Sequence, residues 1–180
     1  LPLPLAPVQL LRLNLVTNGI QDVALAFEPE EKDALARPPR SPDERIFNRL
    51  MLERVAVAAV VMGGVGFAVF QWLLDTGLTE SAVRNQTLLL FVLFEIVNIG
   101  NARSETQSIL TLSPFRSPIL LAGTGLAFLV HLGAMYLPPA QFVLGTAPVS
   151  LERWGLLAGI ALVLAVALEA HQLWWRRRKA

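Results

Sequence analysis

An all-α fold is what the sequence predicts: a polytopic transmembrane helical bundle of five spans, N-terminus outside and C-terminus cytoplasmic. Three observations carry this. Of 180 residues, 54% are hydrophobic and 16% charged, against about 45–50% and about 25% in an average soluble domain. The charges leave long runs empty, and the basic ones fall mostly on one side of an alternating path. Lack of cysteine excludes a disulfide scaffold and a cysteine zinc site. The apolar content excludes a disordered chain. A net charge of +1, from 15 basic and 14 acidic residues, gives no footprint for nucleic acid.

About 20 apolar residues take a helix across a hydrocarbon core of about 30 Å. The first span, residues 6–27, is apolar but carries Arg12 and Asp22. The connection 28–50 is polar and reads as a cytoplasmic loop. The second span, 51–74, contains a charge-free run of twenty residues between Arg54 and Asp75. The third, 84–102, holds Glu95 as its one charge beyond Arg84. A charge-free run of thirty-five residues between Arg116 and Glu152 gives the fourth span, 117–137, and a loop opened by Pro138-Pro139. The fifth, 152–175, has no polar residue from Leu156 to Leu168. Soluble amphipathic helices would need a recurring polar stripe there.

Lys and Arg orient the path. Lys32, Arg37, Arg40, Arg45, Arg49 and Arg54, then Arg103 and Arg116, then Arg176, Arg177, Arg178 and Lys179 lie on one side, twelve of the fifteen. The positive-inside rule makes that side cytoplasmic. Trp72, Tyr136 and Trp154 fall at expected outer ends and Trp174 and Trp175 at the inner end, where amphipathic rings anchor. The chain opens on Leu1-Pro2-Leu3-Pro4 and leads straight into a span, and the odd number of spans points to the end of a longer protein.

Polar groups inside a span are costly and mark function by default. Asn14, Thr17 and Asn18 share a helical face in the first span. Their oxygens suit a hard cation, and Gly19 would let the helix unwind and free carbonyls as further ligands. The other reading is interhelical hydrogen bonding. In the third span Glu95 and Asn98 are i, i+3 neighbours; a carboxylate there must be protonated, paired or cation-bound.

Pro7-Val8-Gln9-Leu10-Leu11 with Asn14-Leu15-Val16-Thr17, then Ala24-Leu25-Ala26-Phe27-Glu28-Pro29 and Arg37-Pro38-Pro39-Arg40, resembles membrane helix six and the following loop of P-type cation ATPases, in the calcium-pump-like branch. Glu95-Ile96-Val97-Asn98 with Asn101-Ala102-Arg103-Ser104-Glu105 resembles the end of their helix eight. The resemblance covers the chain as helices six to ten, making 1–180 the C-terminal part of a transport domain. It implies cation ligands at Asn14, Thr17, Asn18 and Glu95, with Asp22 and Asn98 as further candidates. It implies that Arg37, Pro38, Pro39 and Arg40 form a loop coupling the site to a phosphorylation domain. The family pattern has Asp at Asn18, so one formal charge is missing, and Asp22, one turn on, is a candidate replacement.

Arg12 is expected to snorkel to the outer surface, with an internal counter-cation as the alternative. Gly63-Gly64-Val65-Gly66 and the Gly155/Gly159 pair read as close helix packing, His131 as a hydrogen-bonded neighbour, and Glu169 and His171 as residues near the inner interface. Arg176 to Lys179 read as a topological stop against anionic lipid. Glu28, Glu30, Glu31 and Asp33 read as a solvated face.

The function implied is the membrane portion of an ATP-driven cation pump, for Ca2+ or another small cation, in the plasma (bacterial inner) membrane. ATP and Mg2+ would serve the intact pump; this chain has no cofactor and no catalytic residue of its own, and no D-K-T-G-T segment. Its partners would be the transported cation, the lipid bilayer and the remainder of the pump, including helices four and five and the phosphorylation domain. A non-enzymatic membrane scaffold or pump remnant is the alternative, and a small independent channel lined by Glu95 a third reading.

Overall fold

The computed structural model describes residues 1–29, 48–104 and 107–179, with backbone only for Thr17 and Lys179. Every regular element among them is helical. In order they are α1 (Pro7–Arg12), a π-helical segment (Leu13–Asn18), α2 (Gly19–Leu25), α3 (Arg49–Asp75), α4 (Glu80–Ala102), a 3₁₀ turn (Pro114–Arg116), α5 (Pro118–Tyr136), α6 (Pro138–Leu144) and α7 (Leu151–Lys179). Four of them, α3, α4, α5 and α7, are long and apolar enough to cross a membrane. At about 1.5 Å per residue the shortest, α5, is about 28 Å long. The chain forms an integral membrane protein. Residues 7–25 make a further helical rod: backbone at both internal junctions, Leu13 and Gly19, stays right-handed helical.

Local chemistry sets the ends. Pro7 starts α1 at a position that needs no N–H, and Gln9 Oε1 accepts from Ala6 N at 3.0 Å. Asn48 caps α3 by accepting from Met51 N at 2.8 Å, and Thr79 and Ser117 cap α4 and α5. Between α3 and α4, Gly77 takes a φ of 74°, which costs a glycine nothing. Pro138-Pro139, expected to open a loop, instead starts α6, since proline is well placed in a first helical turn.

α4 is the central helix. It packs between α3 and α7 around Phe70, Leu73, Leu90, Phe94, Leu157 and Leu164, all buried. On its other side it meets the π segment, while α2 packs chiefly on α5. The outer faces remain apolar, with Val60 73%, Val166 68% and Leu129 63% exposed. A soluble protein would hide such side chains, whereas lipid accepts them.

Contacts between ends sort the rods into an alternating path. At one end Arg84 Nε donates to Leu3 O (3.0 Å), Asn85 Nδ2 to Ala147 O (2.6 Å), and Arg153 lies over the Trp72 ring. At the other, Arg54 donates to Asn101 O (2.7 Å) and Ser104 O (3.0 Å), and Ile109 N to Glu169 Oε1 (2.7 Å). His171 Nε2 lies 3.2 Å from Glu53 Oε2 there.

Of the glycines expected to pack closely, only Gly66 does so: a Cβ there would come within 2.8 Å of the Phe91 ring. Gly63, Gly64, Gly155 and Gly159 have nothing within 4 Å among the described residues. Charge-free glycine spacing is compatible with a helix contact but does not create one. Another close approach occurs at Gly123, where an added Cβ would lie 2.6 Å from Ala24 Cβ, seating α2 on α5.

Candidate cation site

The first rod changes its hydrogen-bond register where its polar residues cluster. The sequence reading expects Gly19 to let the helix unwind; the structure widens it instead. Gly19 N–H donates to Asn14 O, an i→i+5 bond, and residues 13–18 form a π-helix. The backbone thus re-registers rather than opening, with Gly19 N–H reaching both Asn14 O and Val16 O. Such bulges are frequent at functional sites.

This segment brings Asn18 to Glu95. With its amide turned to donate, Asn18 Nδ2 lies 3.1 Å from Glu95 Oε1 and 3.0 Å from Oε2. The Asn14 side chain is within 3.4 Å of the same amide group. Both Asn18 and Glu95 are half-buried, and Asn14 is exposed on the described chain. Thr17 belongs to the same π segment. The cluster thus consists of one carboxylate and two neutral amides contributed by two rods. Among the described residues no three or more His, Cys, Asp or Glu side chains converge.

The other candidates are more distant. Asp22 is exposed on α2, four residues beyond Asn18. Asn98 lines a cavity of about 440 Å³ between α3, α4 and α7, together with Arg54 and Asn101, so it is not gathered with Asn18. Arg37, Pro38, Pro39 and Arg40 lie outside the described residues.

Arg12 overturns the snorkelling expectation. It is 8% exposed, and its Nη2 donates to Nδ1 of His131 on α5, which is 1% exposed. Arginine has no acceptor, so Nδ1 accepts and the ring proton sits on Nε2. His131 therefore does bond a neighbour, as expected; what no local pattern revealed was a partner 119 residues away. A second correction concerns Glu28. Expected on a solvated face, its side chain is only 8% exposed and takes a two-pronged bond from Arg103, Nη2 to Oε1 at 2.9 Å and Nε to Oε2 at 3.1 Å. The proline that follows Glu28 and the isolated Arg103 were the signals available, and neither names the other.

Residues 2–174 match the family model described as cation transporting ATPase, C-terminus. The chain belongs to that family. Among similar proteins, the mouse calcium-transporting ATPase type 2C member 2 is 33% identical over 175 residues, covering 97% of this chain and 18% of the relative. The Bacillus subtilis calcium-transporting ATPase is 30% identical, covering 91% of this chain and 18% of the relative. The probable cation-transporting ATPase F of Mycobacterium tuberculosis is 28% identical, covering 95% and 19%. The chain thus spans about a fifth of the length of these cation ATPases. In its own family the cluster of Asn14, Asn18 and Glu95 belongs to a C-terminal membrane region.

Proposed function

We propose that residues 1–180 are the C-terminal part of the transport domain of an ATP-driven P-type pump, supplying part of a mid-membrane site for Ca2+ or another small cation. The rod of residues 7–25 acts as a fifth span, and the end carrying Arg54, Arg103 and Arg116 faces the cytoplasm of a plasma or bacterial inner membrane. The observation that carries the reading is the meeting of Asn18 and Glu95 across two rods, at a π segment. A carboxylate in that position needs a counter-charge or a proton, and a transported cation is one that can come and go. Asn14, Thr17, Asn18 and Glu95 offer oxygens of the kind hard cations take. Asp22 adds negative charge one turn away. The site is completed by helices four and five in the remainder of the pump.

The segment with Arg37, Pro38, Pro39 and Arg40 couples this site to the phosphorylation domain. ATP and Mg2+ act on the rest of the protein, and the chain described here supplies no catalytic group. The relatives named as calcium-transporting ATPases support Ca2+ as the first ion to try.

The test is ATP hydrolysis by the full-length protein against Ca2+, Mn2+ and Na+, beside Glu95→Gln. Stimulation by one of these ions, weakened about tenfold or more in half-saturating concentration by Glu95→Gln, is the expected result; a tenfold change corresponds to about 1.4 kcal/mol. No stimulation by any ion, together with no effect of the substitution, would leave the scaffold reading in its place.

A further inference from the structure

The segment after α2 has two routes into the cation cluster. One runs back along the chain from Glu28 through α2 to Asn18, ten residues earlier. The other crosses space, from Glu28 to Arg103, and then runs back along α4 to Glu95, eight residues earlier. At about 1.5 Å per residue both members of the cluster lie about 12–15 Å from this crossing.

The crossing is a built contact. Arg103 is 7% and Glu28 8% exposed, and the fork-to-carboxylate geometry uses both oxygens. Arg103 Nη2 also donates to Ser113 O at 3.0 Å. Arg116 lies 3.8 Å from Glu28 Oε1 and donates to Pro29 O at 3.0 Å. Three segments therefore close on one carboxylate: the end of the first rod, the end of α4, and the turn before α5. Arg54 grips the end of α4 from its other side through Asn101 O and Ser104 O. Between the two junctions α2 leans chiefly on α5 and α4 on α7, and the apolar ties between the rods that carry the cluster are Leu13 beside Leu88 and Val92, and Ala24 beside Ile99. The Glu28–Arg103 contact adds a directional, charged tie at the end.

We propose that Glu28, Arg103 and Arg116 form a clasp that holds the root of the coupling loop to the cytoplasmic end of α4, so that the loop and the Asn18–Glu95 pair move as one body. The proposal rests on the cation-site reading above. Arg103 and Glu28 are positioning residues: they touch no cation and act through the register of α4 against the first rod. A pull on the loop reaches Asn18 and Glu95 together. Without the clasp it reaches Asn18 first, and Glu95 follows only through the apolar packing of Leu13 and Ala24 on α4. A bidentate, desolvated Arg–carboxylate contact suits this role because it fixes direction as well as distance.

The experiment uses the full-length pump and Ca2+, with Glu28→Gln, Arg103→Gln, the double variant, and Glu95→Gln in parallel. Half-saturating Ca2+ and maximal ATPase rate are read separately. Each single clasp variant raises half-saturating Ca2+ about fivefold or more, the lower end of usual coupling factors, with the maximal rate kept within about twofold. The double variant is no worse than either single one, because one contact is lost in all three. Half-saturating Ca2+ unchanged in both singles, or single effects that multiply in the double, overturns the clasp. If Glu95→Gln shifts the Ca2+ response and the clasp variants do not, the clasp alone fails; if Glu95→Gln is also silent, the cation-site reading fails with it. Phosphorylation by inorganic phosphate without Ca2+ reports folding. Any variant that loses it is replaced by Glu28→Asp or Arg103→Lys, which keep the charge and break the fork, and is held to the same criteria.

Discussion

Asn18→Asp puts the cation-site account under the sharpest strain. The amide nitrogen of Asn18 lies 3.0 and 3.1 Å from the two Glu95 oxygens and donates to them. A carboxylate there replaces two attractions with a repulsion between like charges whose centres are about 4 Å apart. At an effective dielectric of about 20 that repulsion is about 4 kcal/mol. A divalent cation between the carboxylates removes it; so does one proton, at the cost of a charge. Because the cation must displace that proton, only part of the 4 kcal/mol reaches affinity. We expect half-saturating Ca2+ for ATP hydrolysis to fall at least about tenfold at pH 8, about 1.4 kcal/mol. The gain shrinks toward pH 6, since protons compete with Ca2+ for the new pair. The assay is Ca2+-stimulated ATPase of the full-length pump at both pH values, with phosphoenzyme formation as the check on folding. Half-saturating Ca2+ within about twofold of the parent at pH 8, in protein that still forms phosphoenzyme, would mean that no cation sits between residues 18 and 95.

Substitutions at three further places probe the bundle. Gly123→Ala sets a methyl group 2.6 Å from Ala24 Cβ, a short side chain with no rotamer to escape into; overpacking of this kind costs about 1–3 kcal/mol, so the thermal midpoint in detergent falls. Gly155→Ala, with nothing within 4 Å among the described residues, leaves it unchanged or raises it through helix propensity, about 0.5–1 kcal/mol. His131→Leu strips Arg12 of its ring acceptor and leaves the guanidinium beside His131 O at 3.4 Å, now the leucine carbonyl. Uncompensated buried charge costs about 3–5 kcal/mol, and replacing both partners by apolar groups is often neutral. The midpoint therefore falls in His131→Leu and recovers in Arg12→Met/His131→Leu.

The parts of this fold that were legible are those set by local chemistry. The charge-free run after Arg54 and the polar-free stretch from Leu156 to Leu168 dictate helices whatever surrounds them. Asn14, Asn18 and Glu95 stood out because polar groups are costly in an apolar rod, and two of the three meet in space. What stayed hidden was pairing at a distance. Arg12 at a helix end reads as a snorkelling side chain until His131 is known to lie beside it. Glu28, at the head of an acidic run, reads as solvated until Arg103 closes over it. The π segment was invisible for another reason: Gly19 signals weak helix propensity, but whether the backbone unwinds or re-registers depends on the neighbours it packs against. Asn98 shows the limit of face arithmetic, since this i, i+3 neighbour of Glu95 lines a cavity with Arg54 and Asn101 instead of joining Asn18.

The central claim is that Glu95, opposite Asn18, holds a transported cation. Equilibrium binding of radioactive Ca2+ to the purified full-length pump, without ATP, tests it most directly. Saturable binding in the parent, weakened about tenfold or more in Glu95→Gln, is the expected result. Glu169→Gln, at the far end of α7 where the side chain accepts from Ile109 N, leaves binding intact. An unchanged isotherm in Glu95→Gln, in protein that binds Ca2+ saturably before substitution, would contradict it.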